Sequence, residues 1–350
     1  MIRTKKPDTS LSTQMKRRVE NGVKSKTEYD GNTTKMISTG STLLDLAISG
    51  GRVRGGGLPG GILVEVFGPA SAGKTVLLCE IAGAIQRQGG SIMFHDPEAR
   101  LNKQFARMFD LDTSQINYTV PDTIPEVFSS VRKWKPVGKG INGVMADSLA
   151  ALSTDMEMEN EKGDKMGGRR AKEFSEELRR TCRTLTQNNL LMVCSNQLRQ
   201  NMNAGPFEAK FVSPGGEAIG FYSSLRLRIM KPQKIKVKQK FEGVEVTRVI
   251  GVESDIEVFK SSVWKPYRTA SITILFDYGV DDIRQNLQFI KEYSSAATYT
   301  LGSESLSKSL EHSIKLIEKN DWQKQLREEV IDLWEEIEKK FESERKPKQR

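Results

Sequence analysis

Gly68, Pro69, Ala70, Ser71, Ala72, Gly73, Lys74 and Thr75 follow one apolar run and precede another, which Val76 opens. A loop of such small residues lets successive backbone N–H groups surround phosphate oxygens, helped by the positive end of a following helix. Gly68 and Gly73 permit the backbone angles and the close approach. Lys74 is placed to reach the β- and γ-phosphates of a nucleotide, and Thr75 to set its hydroxyl on Mg²⁺. The pattern is G-x-x-x-x-G-K-[ST], which a chain of average composition and this length shows by chance in about 1% of cases. An ordinary glycine turn is the alternative. The strand-like run at 62–67 and the helical pattern at 75–88 are the flanks that phosphate binding requires.

Three further groups have types and positions that suit a triphosphate site. Asp147 closes an apolar run (143–147), where ligands of open α/β sheets bind, and is the candidate to hold the metal shell with Thr75. Glu98 lies just past another run (91–95), in His95, Asp96, Pro97, Glu98, and is the candidate general base; a surface carboxylate is the alternative. His95 itself reads as a packed strand residue. Asn196 ends the run 190–196 and Gln197 follows it; an amide there can bond a γ-phosphate and feel its loss, and a capping amide before a surface loop is the alternative. A polar, glycine-bearing stretch follows at once, so loop order can depend on nucleotide state.

The elements that must position these groups are legible in outline. Apolar runs of strand length at 62–67, 91–95, 116–120, 143–147 and 190–196 alternate with helical patterns at 75–88 and 171–188. That alternation predicts an α/β fold whose mostly parallel central sheet is covered by helices on both faces. After residue 220 the pattern changes: 225–230, 244–252, 255–259 and 271–276 read as antiparallel strands extending the sheet. Residues 41–49 suggest a short helix capped by Ser41, and the glycine-rich 50–61 a flexible surface connection. Before residue 36, Leu11, Met15, Val19 and Val23 recur at helical spacing; after 283, Leu306, Leu310, Ile314 and Ile317, then Leu326, Val330, Leu333, Ile337 and Phe341, form apolar stripes, with Trp322 and Trp334 near their core.

Composition excludes several classes. No apolar stretch approaches the roughly 20 residues of a membrane helix, and the polar N-terminus lacks a secretory core. Cys79, Cys182 and Cys194 form no C-x-x-C pair and read as free thiols in a reduced cytoplasm; two distant histidines make a zinc site unsuitable. The net charge of +9 hints at a polyanionic partner. Between 226 and 240, Arg226, Arg228, Lys231, Lys234, Lys236, Lys238 and Lys240 occur with no acid, either as a nucleic-acid surface or as a guarded strand edge.

Together, 37–48, 58–75, 96–101, 146–152, 195–199 and 215–224 resemble, in order and near spacing, the bacterial-type RecA recombinases, including phage-encoded ones. The resemblance implies a P-loop ATPase core at 37–282 between an N-terminal oligomerisation segment (1–36) and a helical C-terminal domain with a basic tail (283–350). It implies ATP and Mg²⁺ as cofactors and cytoplasmic work. Its partners would be single-stranded DNA, a homologous duplex, further copies in a helical filament, and single-strand-binding and loader proteins. By motif, Lys74 and Thr75 fall on the phosphate and metal positions, Glu98 on the catalytic glutamate, Asp147 on the Walker B aspartate and Gln197 on the γ-phosphate sensor. Phe105 falls where a tyrosine usually faces adenine, and Asn102 where an aspartate is usual. Met166 and Arg169 belong to one DNA-facing loop; Arg199, Gly215, Gly216 and an apolar insertion, Phe207 in preference to Phe211, belong to the other. Lys260 matches the first lysine that reaches a neighbouring subunit's phosphates; the second position is Ser262, with Lys265 the nearby substitute. The tail (Arg345, Lys346, Lys348, Arg350) is basic where many relatives are acidic, and the stretch 50–57 is longer than usual. A hexameric helicase on the same core, a non-hydrolysing mediator and a small-molecule kinase are the alternatives.

Overall fold

A computed structural model describes residues 33–154, 167–200, 211–212, 217–294 and 296–345. The helical pattern at 11–23, with Leu11, Met15, Val19 and Val23, lies outside them, as do Lys346, Lys348 and Arg350 of the tail. Helix α1 (Thr42–Ser49) opens at Ser41, whose hydroxyl accepts from the Leu44 N–H at 3.4 Å. The chain continues with β1 (Leu63–Gly68), α2 (Lys74–Arg87), β2 (Ile92–His95), α3 (Lys103–Arg107), β3 (Ile116–Thr119), α4 (Ile124–Lys133), β4 (Asn142–Ala146), α5 (Gly167–Gln187) and β5 (Leu190–Gln197). Next come β6 (Arg199–Gln200), β7 (Phe211–Val212), α6 (Glu217–Tyr222), β8 (Leu225–Ile229), β9 (Gln233–Phe241), β10 (Val244–Ser261), β11 (Thr269–Leu275), β12 (Gly279–Val280) and α7 (Asp282–Tyr293). A small hairpin, β13 (Thr300–Leu301) and β14 (Glu304–Ser305), precedes α8 (Leu310–Lys319) and α9 (Gln323–Lys340).

The sheet runs β12-β11-β10-β8-β1-β5-β4-β2-β3, with β9 paired to β10. From β8 to β3 all neighbours are parallel. Each central strand sends alternate residues to opposite faces. Val64, Val66, Leu191 and Val193 join a core that includes residues of α1, α2, α7 and α9; Leu63, Leu190, Met192 and Cys194 join a second core with α4 and α5. Burial on both faces is why these strands read as unbroken apolar runs. Leu326, Val330 and Ile331 of α9 belong to the first core, Trp322 and Trp334 pack against it, and Phe341 is exposed instead of completing its stripe. Cys79 and Cys194 are buried, all three cysteines are free, and desolvation pushes their thiols up.

Three expectations are corrected. Residues 225–229 run parallel to β1, not antiparallel: α6 lies between β5 and β8, and such a crossover returns the chain in its original direction. The runs 244–252 and 255–259 are one 18-residue strand, because Glu253 and Ser254 stay paired to β11 and a register shift near Gly251 absorbs the irregularity. Finally, Gly55, Gly56 and Gly57 are buried rather than a free surface loop. The Gly57 N–H donates to the Asp45 carbonyl of α1 at 3.0 Å. At Gly56, φ is +66° and a Cβ would lie 2.3 Å from that carbonyl oxygen, so only glycine fits.

Candidate nucleotide site

β1 delivers the glycine-rich loop to the carboxyl edge of the parallel strands, and α2 begins at Lys74. At Gly73 φ is +90°, a left-handed conformation that favours glycine, and a Cβ would lie 2.3 Å from Ile274 Cδ1, which would have to swing aside. Lys74 is buried; its Nζ donates to the Gly68 and Pro69 carbonyls at 3.2 and 2.7 Å. Burial lowers its pKa, opposed by the charges of Asp147 and Glu98. One cavity of about 320 Å³ is lined by Ala70, Ser71, Ala72, Gly73, Lys74, Thr75 and Val76, and also by Glu98, Asp147 and Gln197.

Asp147 follows β4. Thr75 Oγ1 donates to its Oδ2 at 2.6 Å, and Ser195 Oγ donates to its Oδ1. Ser195 comes from β5, the strand beside β4, whose register sets Ala146 against Cys194. Glu98 follows β2, in a loop that Asp96 holds: its carbonyl accepts from Ala99 at 2.9 Å, and its carboxylate from Leu101 N–H at 2.7 Å and the Tyr118 hydroxyl at 3.0 Å. Glu98 itself pairs with Arg100 at 2.7 Å. Gln197, the last residue of β5, is in register with Gly68. Its neighbour Asn196 donates to Glu65 Oε1 at 3.0 Å, and Glu65 is paired with Arg226 at 2.6 Å. His95 is a packed strand residue as expected, in hydrogen-bond contact with Thr119 at 2.6 Å and Ser130 at 3.1 Å.

Other anticipated residues lie away from the cavity lining. Asn102 caps α3, accepting from the Phe105 N–H at 2.8 Å, and Phe105 packs edge-on against Phe109 at 5.0 Å. Lys260 donates to the Gly220 and Phe221 carbonyls, both at 2.9 Å, at the end of α6. Lys265 is engaged elsewhere: its ammonium is 3.3 Å from Glu338 and 4.9 Å from the Trp264 ring centroid. Arg169 is exposed in the first turn of α5, and Arg199 pairs with Val212 in a short ladder. Met166, Phe207, Gly215 and Gly216 lie outside the described residues.

Sequence reasoning missed Ser195, Ser148, Arg100 and an apolar wall of Val252, Ile274 and Phe276, all of which line the cavity. Ser195 had a faint signal, a polar residue near a strand end. The wall had none, because β10 and β11 reach the loop only through sheet order.

The sequence profile of the RecA N-terminal domain matches residues 9–281. Protein RecA of Delftia acidovorans is 30% identical over 292 residues, covering 82% of this chain and 75% of that protein. Protein RecA of Acholeplasma laidlawii is 30% identical over 310 residues, covering 87% of this chain and 86% of that protein. The crystal structure of the RadB recombinase aligns with a TM-score of 0.48 and 20% identity, over 70% of this chain and 98% of that one. With the profile and full-length relatives both spanning most of the sequence, the chain belongs to the RecA family.

Proposed function

We propose that this protein is an ATP-dependent DNA strand-exchange recombinase. It forms helical filaments on single-stranded DNA, pairs that strand with a homologous duplex, and hydrolyses ATP in a DNA-stimulated manner. One observation supports this above all: Lys74, Thr75, Asp147, Glu98 and Gln197 converge on one cavity, and Gln197 leads directly into the segment that resembles a DNA-facing loop.

In this reading Lys74 and the loop N–H groups hold the β- and γ-phosphates. Thr75 and Asp147, two hard oxygen donors 2.6 Å apart, fit Mg²⁺. Among the described residues no cluster of three His, Cys, Asp or Glu side chains could hold a metal, which suits an ion completed by phosphate and water oxygens. When bound, the ion neutralises phosphate charge. Ser195 fixes the Asp147 carboxylate. Glu98 takes the proton of a water whose oxygen bonds to the γ-phosphorus; the bond to the bridging oxygen breaks, and its electron pair leaves on ADP. The Gln197 amide bonds the γ-phosphate and relays its loss to the following segment. The apolar wall is where the base is expected, with Asn102 and Phe105 as its further contacts. Met166, Arg169, Arg199, Phe207, Gly215 and Gly216 serve DNA, and Lys260 serves the neighbouring subunit's nucleotide. No described helix is long and apolar enough to cross a membrane.

The test is ATP turnover with and without single-stranded DNA, electron microscopy of the complex, and joint-molecule formation with a homologous duplex. DNA-stimulated turnover, helical filaments and joint molecules are expected. Rings that unwind duplexes, or turnover indifferent to DNA, would overturn the proposal.

A further inference from the structure

We propose that Arg100, to which the family resemblance assigns no role, contacts the terminal phosphate of bound ATP from within the same subunit and stabilises the charge that develops there during hydrolysis. The inference rests on the reading of the cavity as an ATP site. Among the described residues that line the cavity, the cations are Lys74 and Arg100. Lys74 is bound to the Gly68 and Pro69 carbonyls at the loop's base. Arg100 lines the same cavity together with Gln197, the candidate sensor, and Glu98, the candidate base to which it is paired.

The loop is built to place this side chain while leaving it free to move. Asp96 is buried and anchors the turn on both sides, through Ala99 and Leu101. Ala99, between Glu98 and Arg100, has φ +50°, a left-handed conformation disfavoured for a residue with a Cβ. Backbone strain of this kind is tolerated where the surroundings enforce it, and it concentrates at functional sites. Both flanking side chains line the cavity. The Arg100 side chain is 71% exposed, and its partner is the Glu98 carboxylate at 2.7 Å. A terminal phosphate presents three anionic oxygens to the planar fork of a guanidinium and competes well with a single carboxylate for it. An arginine that moves to the phosphate also frees Glu98 to accept a proton from water. The charge is needed: Ser262 stands where the resemblance expects a second lysine from the neighbouring subunit, and Lys265 is held by Glu338.

The experiment uses the full-length chain and its Arg100→Ala, Arg100→Gln and Arg100→Lys variants, with calorimetric binding of Mg²⁺-ADP and of Mg²⁺ with a β,γ-imido ATP analogue, alongside ATP turnover. Arg100→Ala and Arg100→Gln should weaken the analogue about 10-fold while leaving ADP within about twofold, and slow turnover by roughly 10²–10³, at or below the low end for arginine fingers. Arg100→Lys should recover part of both. Equal weakening of ADP and analogue, unchanged affinity for both, or turnover at or above the parent's level would overturn the proposal. The binding comparison needs no DNA, so a parent that binds nucleotide but ignores DNA sinks the recombinase reading alone. A parent that binds neither nucleotide sinks both.

Discussion

Glu65→Ala should destabilise the protein severely although Glu65 does not line the nucleotide cavity. Its carboxylate is fully buried on β1, paired to Arg226 Nε at 2.6 Å and accepting from Asn196 Nδ2 at 3.0 Å. The Arg226 guanidinium also lies over the rings of Phe67 and Phe259, 4.6 and 5.3 Å from their centroids, and only 18% of its side chain is exposed. Those rings hold the cation in place after the carboxylate is gone. It is left buried and unpaired, a change that costs about 3–5 kcal/mol. The lost bond from Asn196 adds about 1 kcal/mol, and the residual exposure of Arg226 argues for the lower end of the sum. A loss of about 4 kcal/mol should lower Tm by about 5 °C in a chain of this size. The assay is urea and thermal unfolding of the parent, Glu65→Ala, Arg226→Met and the double variant. The double variant, with neither charge, should recover about 2 kcal/mol relative to the sum of the singles. If Glu65→Ala costs under about 1 kcal/mol, or the two losses simply add, the pair is not the buried, interdependent unit described here.

Three other outcomes are expected. Lys74→Ala removes the ammonium that the loop holds against the phosphate position, so calorimetry should find ATP binding weakened by about 100-fold or more, in line with loss of a buried charge-assisted contact of about 3 kcal/mol; an unchanged Kd would refute the phosphate-cradle reading. Gln197→Ala should leave nucleotide affinity within a few-fold yet abolish the tightening of single-stranded DNA binding by ATP, read by fluorescence anisotropy; preserved tightening would locate the sensor elsewhere. Burial lowers the His95 pKa from 6.5 to about 4, so the unfolded chain takes up this proton first as pH falls. The stability it contributes is complete above about pH 6.5 and lost toward pH 4, by about 3 kcal/mol. Urea midpoints of the parent and of His95→Gln should therefore converge between pH 7 and pH 4.5, and parallel pH profiles would refute the assignment.

Some of this molecule is legible without its fold. The phosphate loop is contiguous, and its chemistry depends on residue types at fixed offsets along one stretch of backbone. Val64, Val66, Leu191 and Val193 announce strands because burial on both faces demands apolar residues throughout. Asp147, Glu98 and Gln197 stand at strand ends, and a parallel sheet puts all such ends on one edge, so a local reading sufficed to gather them.

The partnerships were decided elsewhere. Ser195 reaches Asp147 because β5 lies beside β4 in one register; a slip of one residue would have turned it away. Glu65 finds Arg226 because β8 returns parallel to β1, a direction that alternating leucines and arginines do not disclose. Ile274 of β11 and Phe276 just after it wall the cavity from about 200 residues beyond the loop. Gly56, in a stretch unexplained when read alone, is small because the Asp45 carbonyl of α1 packs against it, and Gly57 because the Ile37 backbone does. What the sequence determined by itself is whatever rests on one segment's backbone geometry and periodicity. What the tertiary structure decided is every interaction whose existence depends on strand order, register and close approach between distant segments, because those follow from the free energy of the whole packed sheet and not of any one stretch of it.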